Sequence, residues 1–362
     1  MSENRVHVGF VGGLAIAGNV RTLLENLRRL LRSRPTEFDC DLLLGDDDSL
    51  PAGYRGIRID ASKVNSARER ISTLVRAIRQ YVACEAPDVI VQLTKFPTHG
   101  TAAAIAGRLT GTPTITRLAG DNFREHQFAP EPGARAKTFA LKNVIALAAV
   151  HLPNAVIALG PQGRRDLAQR LRRRNVRVIP QPVDKEQFSP AGAGRRERLR
   201  EELGMPPLGD GRVLLTVGRV SRRKGAETIH QTADSLQADV HWYLVGDGPR
   251  LDELADVERV RTVGRVPHDR IAAYYRAADL YVHPSLHDGL PNVLLEATAC
   301  GTPSIARDVG ECSTVATETF VDDTRLSELV LANYPEPELP RGFQADRLGS
   351  AYENLLVNTA TA

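Results

Sequence analysis

Short apolar runs that end on glycine and hand over to helix-period segments recur along this chain, and they leave few folds open. Residues 6–11 run into Gly12-Gly13, residues 213–217 into Gly218, and Trp242-Tyr243-Leu244-Val245 into Gly246. Further strands are expected at 88–93, 113–117 and 155–159. After the first glycine pair, Asn19 can cap a helix whose apolar residues Val20, Leu23, Leu24, Leu27, Leu30 and Leu31 share one face. A second helix is expected over about 99–109. Strand and helix alternation of this kind predicts parallel sheets joined by right-handed crossovers. A chain of 362 residues is long for one core and suits two domains. The pattern restarts at Val213 after the proline-marked passage Ile179-Pro180-Gln181-Pro182-Val183-Asp184, which reads as the hinge between two similar halves. Pro335, Pro337 and Pro340 interrupt the pattern again before a final helix over about 345–357.

Composition narrows the function classes. With 42% hydrophobic and 25% charged residues and no low-complexity tract, the chain reads as an ordinary soluble globular protein. A net charge of +3 is too small to imply nucleic acid. Cys40, Cys84, Cys300 and Cys312 have no paired spacing for zinc or a redox dithiol, which suits a reducing cytoplasm. The N-terminus carries acidic and basic residues and enters a strand by Val6, so no signal peptide is expected. Residues 143–162 are long enough to raise a transmembrane question, but His151, Pro153 and Asn154 break the run and argue against a span. Gly12-Gly13 is not the GxGxxG dinucleotide fingerprint, and no glycine loop ends in Gly-Lys-Ser/Thr.

Two constellations carry chemistry. In Asp288-Gly289-Leu290-Pro291-Asn292-Val293-Leu294-Leu295-Glu296, two carboxylates lie eight positions apart around a turn that opens a helix. If helical from Pro291, eight residues span roughly 12 Å. That approximates the reach from a transferred sugar to a nucleotide's ribose, with the diphosphate facing the helix N-terminus. In Val217-Gly218-Arg219-Val220-Ser221-Arg222-Arg223-Lys224-Gly225, an apolar strand ends in a turn carrying four cations at the carboxyl edge of a sheet, where open α/β folds bind ligands. Arg222 and Arg223 read as a solvated face. Downstream, Gly246-Asp247-Gly248, Val263-Gly264-Arg265-Val266 and Tyr281-Val282-His283-Pro284 continue the order, with His283 read as a structural loop residue.

These motifs, in their order and spacing, resemble the retaining GT-B glycosyltransferases, in particular the large family 4. The resemblance implies an α/β fold of GT-B architecture, two Rossmann-like doubly wound parallel-sheet domains facing across a cleft. Residues 1–183 would form the acceptor-side domain, with the helix of 341–362 packing back on it, and 184–340 the nucleotide-sugar domain. By the same resemblance, Arg219, Lys224, Asp288 and Glu296 are the catalytic set. Arg219 and Lys224 would clamp the donor diphosphate, each opposing departing charge at a cost of roughly 3 to 4 kcal/mol if lost. Asp288 would hold the sugar and Glu296 the ribose hydroxyls. Donor contacts would come from Gly12, Gly13, Gly218, Val266, Gly289, Leu290, Pro291 and Asn292. The chain departs from the family by carrying Asp288 where Glu is usual, and Gln181-Pro182 where Asn-Gly is usual, which predicts a stiffer link.

On the acceptor side, the strand ends at Thr94-Lys95 and from Arg117 to His126 should face the cleft, because ligands in such folds lie beyond the carboxyl ends of strands, which makes Lys95, Asp121 and Arg124, with His99 at a helix start near the same edge, the candidates. Many relatives have a His before the glycine at Gly120, and here Ala119 stands instead. Either Asp121 replaces that sugar contact or activity is lost. The expected function is retaining transfer of a sugar from a nucleoside diphosphate donor to a hydroxyl acceptor, with no metal and no other cofactor. A catalytically silent binding subunit and a GT-B-fold epimerase are the alternatives, the former drawing also on Gly310-Glu311-Cys312-Ser313, where relatives continue differently. Arginines cluster at 28, 29, 32 and 34 and from 164 to 177, a candidate contact with an anionic membrane face. Only six of the 47 basic residues are Lys, so arginine is also simply the default surface cation. No aromatics interleave the arginines, which argues against single-stranded nucleic acid.

Overall fold

Most strands form along β-branched and leucine-rich runs, several of which end on glycine, and among the described residues every strand pair is parallel. The computed structural model describes residues 5–13, 18–45, 50–60, 66–120, 123–129, 131–192 and 194–362. The chain divides into two units, Met1–Pro182 with Gly342–Ala362, and Val183–Arg341.

In the first unit the strands are β1 (Arg5–Gly13), β2 (Glu37–Leu44), β3 (Arg55–Arg58), β4 (Val89–Gln92), β5 (Thr114–Leu118), β6 (Ala155–Ala158) and β7 (Val176–Val178). Their order across the sheet is β3-β2-β1-β4-β5-β6-β7. The winding therefore reverses between β1 and β4. Helix Gly18–Arg32 buries Leu23, Leu24, Leu27, Leu30 and Leu31 in one core with Val8, Phe10 and Leu42 of the sheet and Tyr352 and Leu356 of helix Ala345–Ala360. Burying each such leucine contributes about 1.5–3 kcal/mol. The helix opens at Gly18, so Asn19 falls inside its first turn rather than before it. The glycine pair is likewise not a separate turn: β1 runs through Gly13, with a register shift against β2 between Val11 and Gly13.

The last helix belongs to this first unit. Arg34 donates to Ser350 Oγ at 2.9 Å and to Asp346 at 3.2 Å. Arg117, at the end of β5, is 2% exposed and donates to Leu93 O at 3.3 Å and to Gln181 Oε1 at 3.2 Å. Burial works against its charge, and the Tyr352 hydroxyl beside it partly offsets this. The uncharged stretch from Asn143 resolves into short helical turns and β6. Among the described residues no helix is long and apolar enough to cross a membrane.

In the second unit the strands are β8 (Arg212–Val217), β9 (Val240–Val245), β10 (Val260–Gly264), β11 (Leu280–His283), β12 (Ser304–Arg307) and β13 (Glu318–Phe320), in the order β10-β9-β8-β11-β12-β13. The winding reverses between β8 and β11. Trp242, the only tryptophan in the chain, is fully buried in this core and donates from Nε1 to Thr216 Oγ1 at 3.1 Å. At the carboxyl edge the strand ends are stitched together by backbone bonds. Gly218 donates to Val245 O at 2.9 Å and Gly246 to Gly264 O at 2.8 Å. Gly246 has φ +143°, and a Cβ there would sit 1.9 Å from Gly218 O.

Gly246→Ala is therefore expected to destabilise the second unit by about 3 kcal/mol, since backbone strain and overpacking act together. Trp242 fluorescence during urea unfolding reads that unit selectively. A loss under about 1 kcal/mol would mean that the turn can yield.

Candidate functional site

The reversal between β8 and β11 places their carboxyl ends side by side, and the cationic turn and the first acid of the sequence motif meet there. After β8 the chain passes through Gly218 and the exposed Arg219 into a short 3-10 turn, Arg222–Lys224, closed by Gly225 at φ +85°. That glycine is required by contact as well as angle, because a Cβ on it would lie 2.3 Å from Pro284 O. Leu286 N donates to Arg223 O at 2.9 Å, locking the turn to the segment that follows β11. The result is a direct pairing of Lys224 Nζ with Asp288 Oδ2. The same oxygen lies 3.0 Å from Nε2 of His283, the last residue of β11 and 4% exposed. Burial pulls the Asp288 carboxyl upward, but the His283 hydrogen bond and the Lys224 charge outweigh it and hold it well below the usual carboxylate range. His283 is thus part of the site, against the expectation of a loop residue. The signal was a polar residue ending the apolar strand Leu280-Tyr281-Val282, five positions before the acid.

Gly310, at φ +56°, closes on the Asp288 turn, where a Cβ would lie 2.3 Å from Asp288 O and 2.5 Å from Gly289 O. Glu311 N then donates to Gly289 O at 2.8 Å. Gly310 and Glu311 therefore brace this turn. Leu290 and Pro291 are buried, while Gly289 and Asn292 are half-buried. The helix is Asn292–Ala299 with Pro291 outside it, so only the stretch from Asn292 to Glu296 rises as a helix, about 6 Å. The 12 Å helical ruler is corrected accordingly: the first half of the spacing is a turn.

Glu296 is 8% exposed and accepts from Tyr275 Oη at 3.0 Å. Its other oxygen lies 3.6 Å from His268 Nε2, an ion-pair distance rather than a hydrogen bond. His268 and Tyr275 stand two turns apart on helix His268–Ala277, a spacing visible in the sequence but not singled out. Phe188 packs edge-on against both rings. Val266 is half-buried just beyond β10, and Gly264 has open space where a Cβ would be.

In the first unit, the ends of β1 and β4 meet at the other reversal point. A Cβ on Gly13 would lie 2.0 Å from His99 Cε1, and one on Gly12 would lie 2.8 Å from Leu42 Cδ1. His99 lies in a π-type turn, Phe96–Gly100, ahead of helix Thr101–Thr110, and is wholly buried. It therefore lies against Gly13, in the turn before the helix rather than at the helix start. Thr94 Oγ1 donates to Gly12 O at 3.1 Å, so its contact with His99 Nδ1 at 3.3 Å must be accepted from the ring. Among the described residues Nε2 is left as a buried acceptor without a partner. Burial lowers the His99 pKa to about 3, so the ring is neutral. Lys95 is exposed and holds a left-handed backbone, φ +48°, a strained conformation that clusters at ligand sites. Arg124 is half-buried ahead of the 3-10 turn Glu125–Phe128. Asp121 lies outside the described residues. Among the described residues no group of three or more His, Cys, Asp or Glu side chains could hold a metal ion.

Residues 211–332 match the family model described as Glycosyl transferases group 1, a span that contains Arg219, Lys224, Asp288 and Glu296. The chain is 30% identical over 229 residues to a putative teichuronic acid biosynthesis glycosyltransferase, TuaC, of Bacillus subtilis, covering 63% of this chain and 55% of that protein. It spans about half the length of the curated relatives it matches. Among solved structures, sucrose-phosphate synthase from Thermosynechococcus elongatus superposes with a TM-score of 0.72 at 22% identity, covering 98% of this chain and 95% of the other. Anabaena HepE in complex with UDP superposes with a TM-score of 0.67 at 18% identity, covering 98% and 95%. These likenesses show the GT-B fold. The match to the glycosyl transferases group 1 model thus lies within the second unit, and the chain as a whole shares the GT-B fold.

Proposed function

We propose that this chain transfers a sugar from a nucleoside diphosphate donor to a hydroxyl acceptor with retention at the anomeric carbon. The observation that carries the reading is the meeting of Lys224 and Asp288 at the carboxyl ends of β8 and β11, inside the segment that matches the family. Lys224 and the exposed Arg219 would take the diphosphate, a point charge and a planar fork respectively. Asp288 would accept hydroxyls of the sugar, and the backbone from Gly289 to Asn292 would line it. Glu296 would hold the ribose, its direction fixed by Tyr275 and His268. Charge on the departing diphosphate is opposed by side chains and backbone N–H groups, so the reaction is proposed to need no metal. In the first unit, Gly12 and Gly13 are proposed as donor-phosphate residues and Lys95, Asp121 and Arg124 as acceptor-side residues. The TuaC and HepE likenesses favour a nucleotide-sugar donor and a glycan-type acceptor.

A cytoplasmic setting with peripheral contact to an anionic membrane face is part of the same reading. Arg34 and Arg173 already serve the fold, the latter donating to Pro153 O at 2.6 Å. The exposed Arg164, Arg165, Arg170, Arg172, Arg174 and Arg177 would carry the contact.

Release of nucleotide from UDP-, GDP-, ADP- and dTDP-sugars, with and without EDTA, tests the reading. One donor should be turned over, and EDTA should not abolish it. Glu296→Ala should lower kcat/KM by about 10- to 100-fold, chiefly through KM. Lys224→Ala should lower kcat by about 100-fold or more. If no donor is either turned over or bound, the transferase reading is wrong.

The second expectation concerns pH. The contact with Glu296 raises the His268 pKa above its ordinary 6.5 against the opposing effect of burial. Stabilisation from this pair is then fully present below about pH 6.5 and lost as pH rises through the raised value. NMR titration of the His268 ring should show that upward shift in the native chain and a drop in Glu296→Gln. An unchanged titration would detach His268 from Glu296.

A further inference from the structure

Asp288 is anchored through one oxygen only. Lys224 and His283 both bind Oδ2, and among the described residues no protein group bonds Oδ1. The His283 ring is itself held from behind. It stacks on Tyr281 with an interplanar angle of 25°, and its Nδ1 lies 3.3 Å from the Tyr281 hydroxyl, which lies 3.5 Å from Val217 O. An ionised carboxylate only accepts hydrogen bonds, so Nε2 must carry the hydrogen it gives to Asp288. In a neutral ring Nδ1 then accepts from Tyr281. In a protonated ring Nδ1 donates to Tyr281, whose own hydrogen turns to Val217 O. The bond to Asp288 survives either way.

We propose that His283 is a positioning residue for the donor sugar: with Lys224 it fixes Asp288 through Oδ2, leaving Oδ1 as the oxygen that accepts a sugar hydroxyl. This rests on the transferase reading above and deepens it. The side chain of Asp288 is short, and with Lys224 as its sole anchor the carboxylate would follow the flexible ammonium. His283 adds a rigid ring from the last position of β11 and defines which oxygen faces outward. Lys224 has three N–H donors, so one can stay on Asp288 while others reach phosphate. The joint therefore need not open when donor binds, and the sugar contact is assembled before the ligand arrives.

The test compares the native chain with His283→Leu, which removes the donor, and His283→Gln, which returns an N–H near the same place. Calorimetry measures the Kd of the intact nucleotide sugar and of the nucleoside diphosphate alone. Trp242 fluorescence checks folding, and Tyr281→Phe serves as a second variant should His283→Leu not fold. For His283→Leu the nucleotide sugar should bind about tenfold more weakly or worse, with the nucleoside diphosphate changed less than about threefold. His283→Gln should recover most of the loss, and Tyr281→Phe should show a smaller loss with the same preference for the sugar. Equal weakening of both ligands would overturn the positioning role, as would native-like binding by a folded His283→Leu or Tyr281→Phe. A native chain that binds no nucleotide sugar overturns the transferase reading itself, and the positioning role with it.

Discussion

Parallel strands must be joined by crossovers, and where successive crossovers turn opposite ways two strand ends are left with no connection roofing the gap between them. That constraint acts twice in this chain, between β1 and β4 and between β8 and β11. In the second unit it sets Gly218 and His283 at adjacent strand ends, and from there short turns bring Lys224 onto Asp288. In the first it sets Gly13 beside Thr94 and His99. The site chemistry is thus placed by topology first and by side-chain identity second. Glycines at Gly225, Gly246 and Gly310 are what allow the backbones around the second gap to close to contact distance.

Much of this was legible in the residues because the determinants are local. Period-two and period-3.6 patterns with glycine boundaries give the strands and the helix face of Leu23 to Leu31. The spacing of Gly218, Arg219, Lys224, Asp288 and Glu296 points to the nucleotide side. What was not legible depends on contacts between distant residues. Nothing within five positions of Asp288 reveals that Gly310 presses on its backbone, 22 positions away. His99 looked like a helix-start residue because its neighbours are helical, whereas its place is decided by the missing side chain at Gly13. Arg117 ends a strand whose carboxyl edge was expected to face ligand, and what turns its side chain inward is contact with Leu93 and Gln181, 24 and 64 positions away.

The two acids of the motif are held in different ways, and the difference follows from their neighbours. Asp288 is gripped by a cation and a histidine that leave it charged far into acid. Glu296 is fixed by a tyrosine hydroxyl and a histidine whose own charge varies nearer neutrality. One acid is electrostatically constant, and the other has a partner that titrates. The brace at Gly310 and Glu311 bears on the first and not the second. Support for the Asp288 turn therefore comes from a segment 22 positions further along the chain.

The helix Ala345–Ala360 supplies Leu348, Tyr352, Leu355 and Leu356 to the core built on β1, β2 and helix Gly18–Arg32. It is made only after the whole of Val183–Arg341 has been synthesised. On the ribosome, the half of the chain that is born first therefore cannot close its own core first. Its leucines must wait, exposed, through the synthesis of the second unit, which holds all of its strands within one continuous stretch. The order of completion runs opposite to the order of synthesis, and the first unit is the one with most need of protection while nascent.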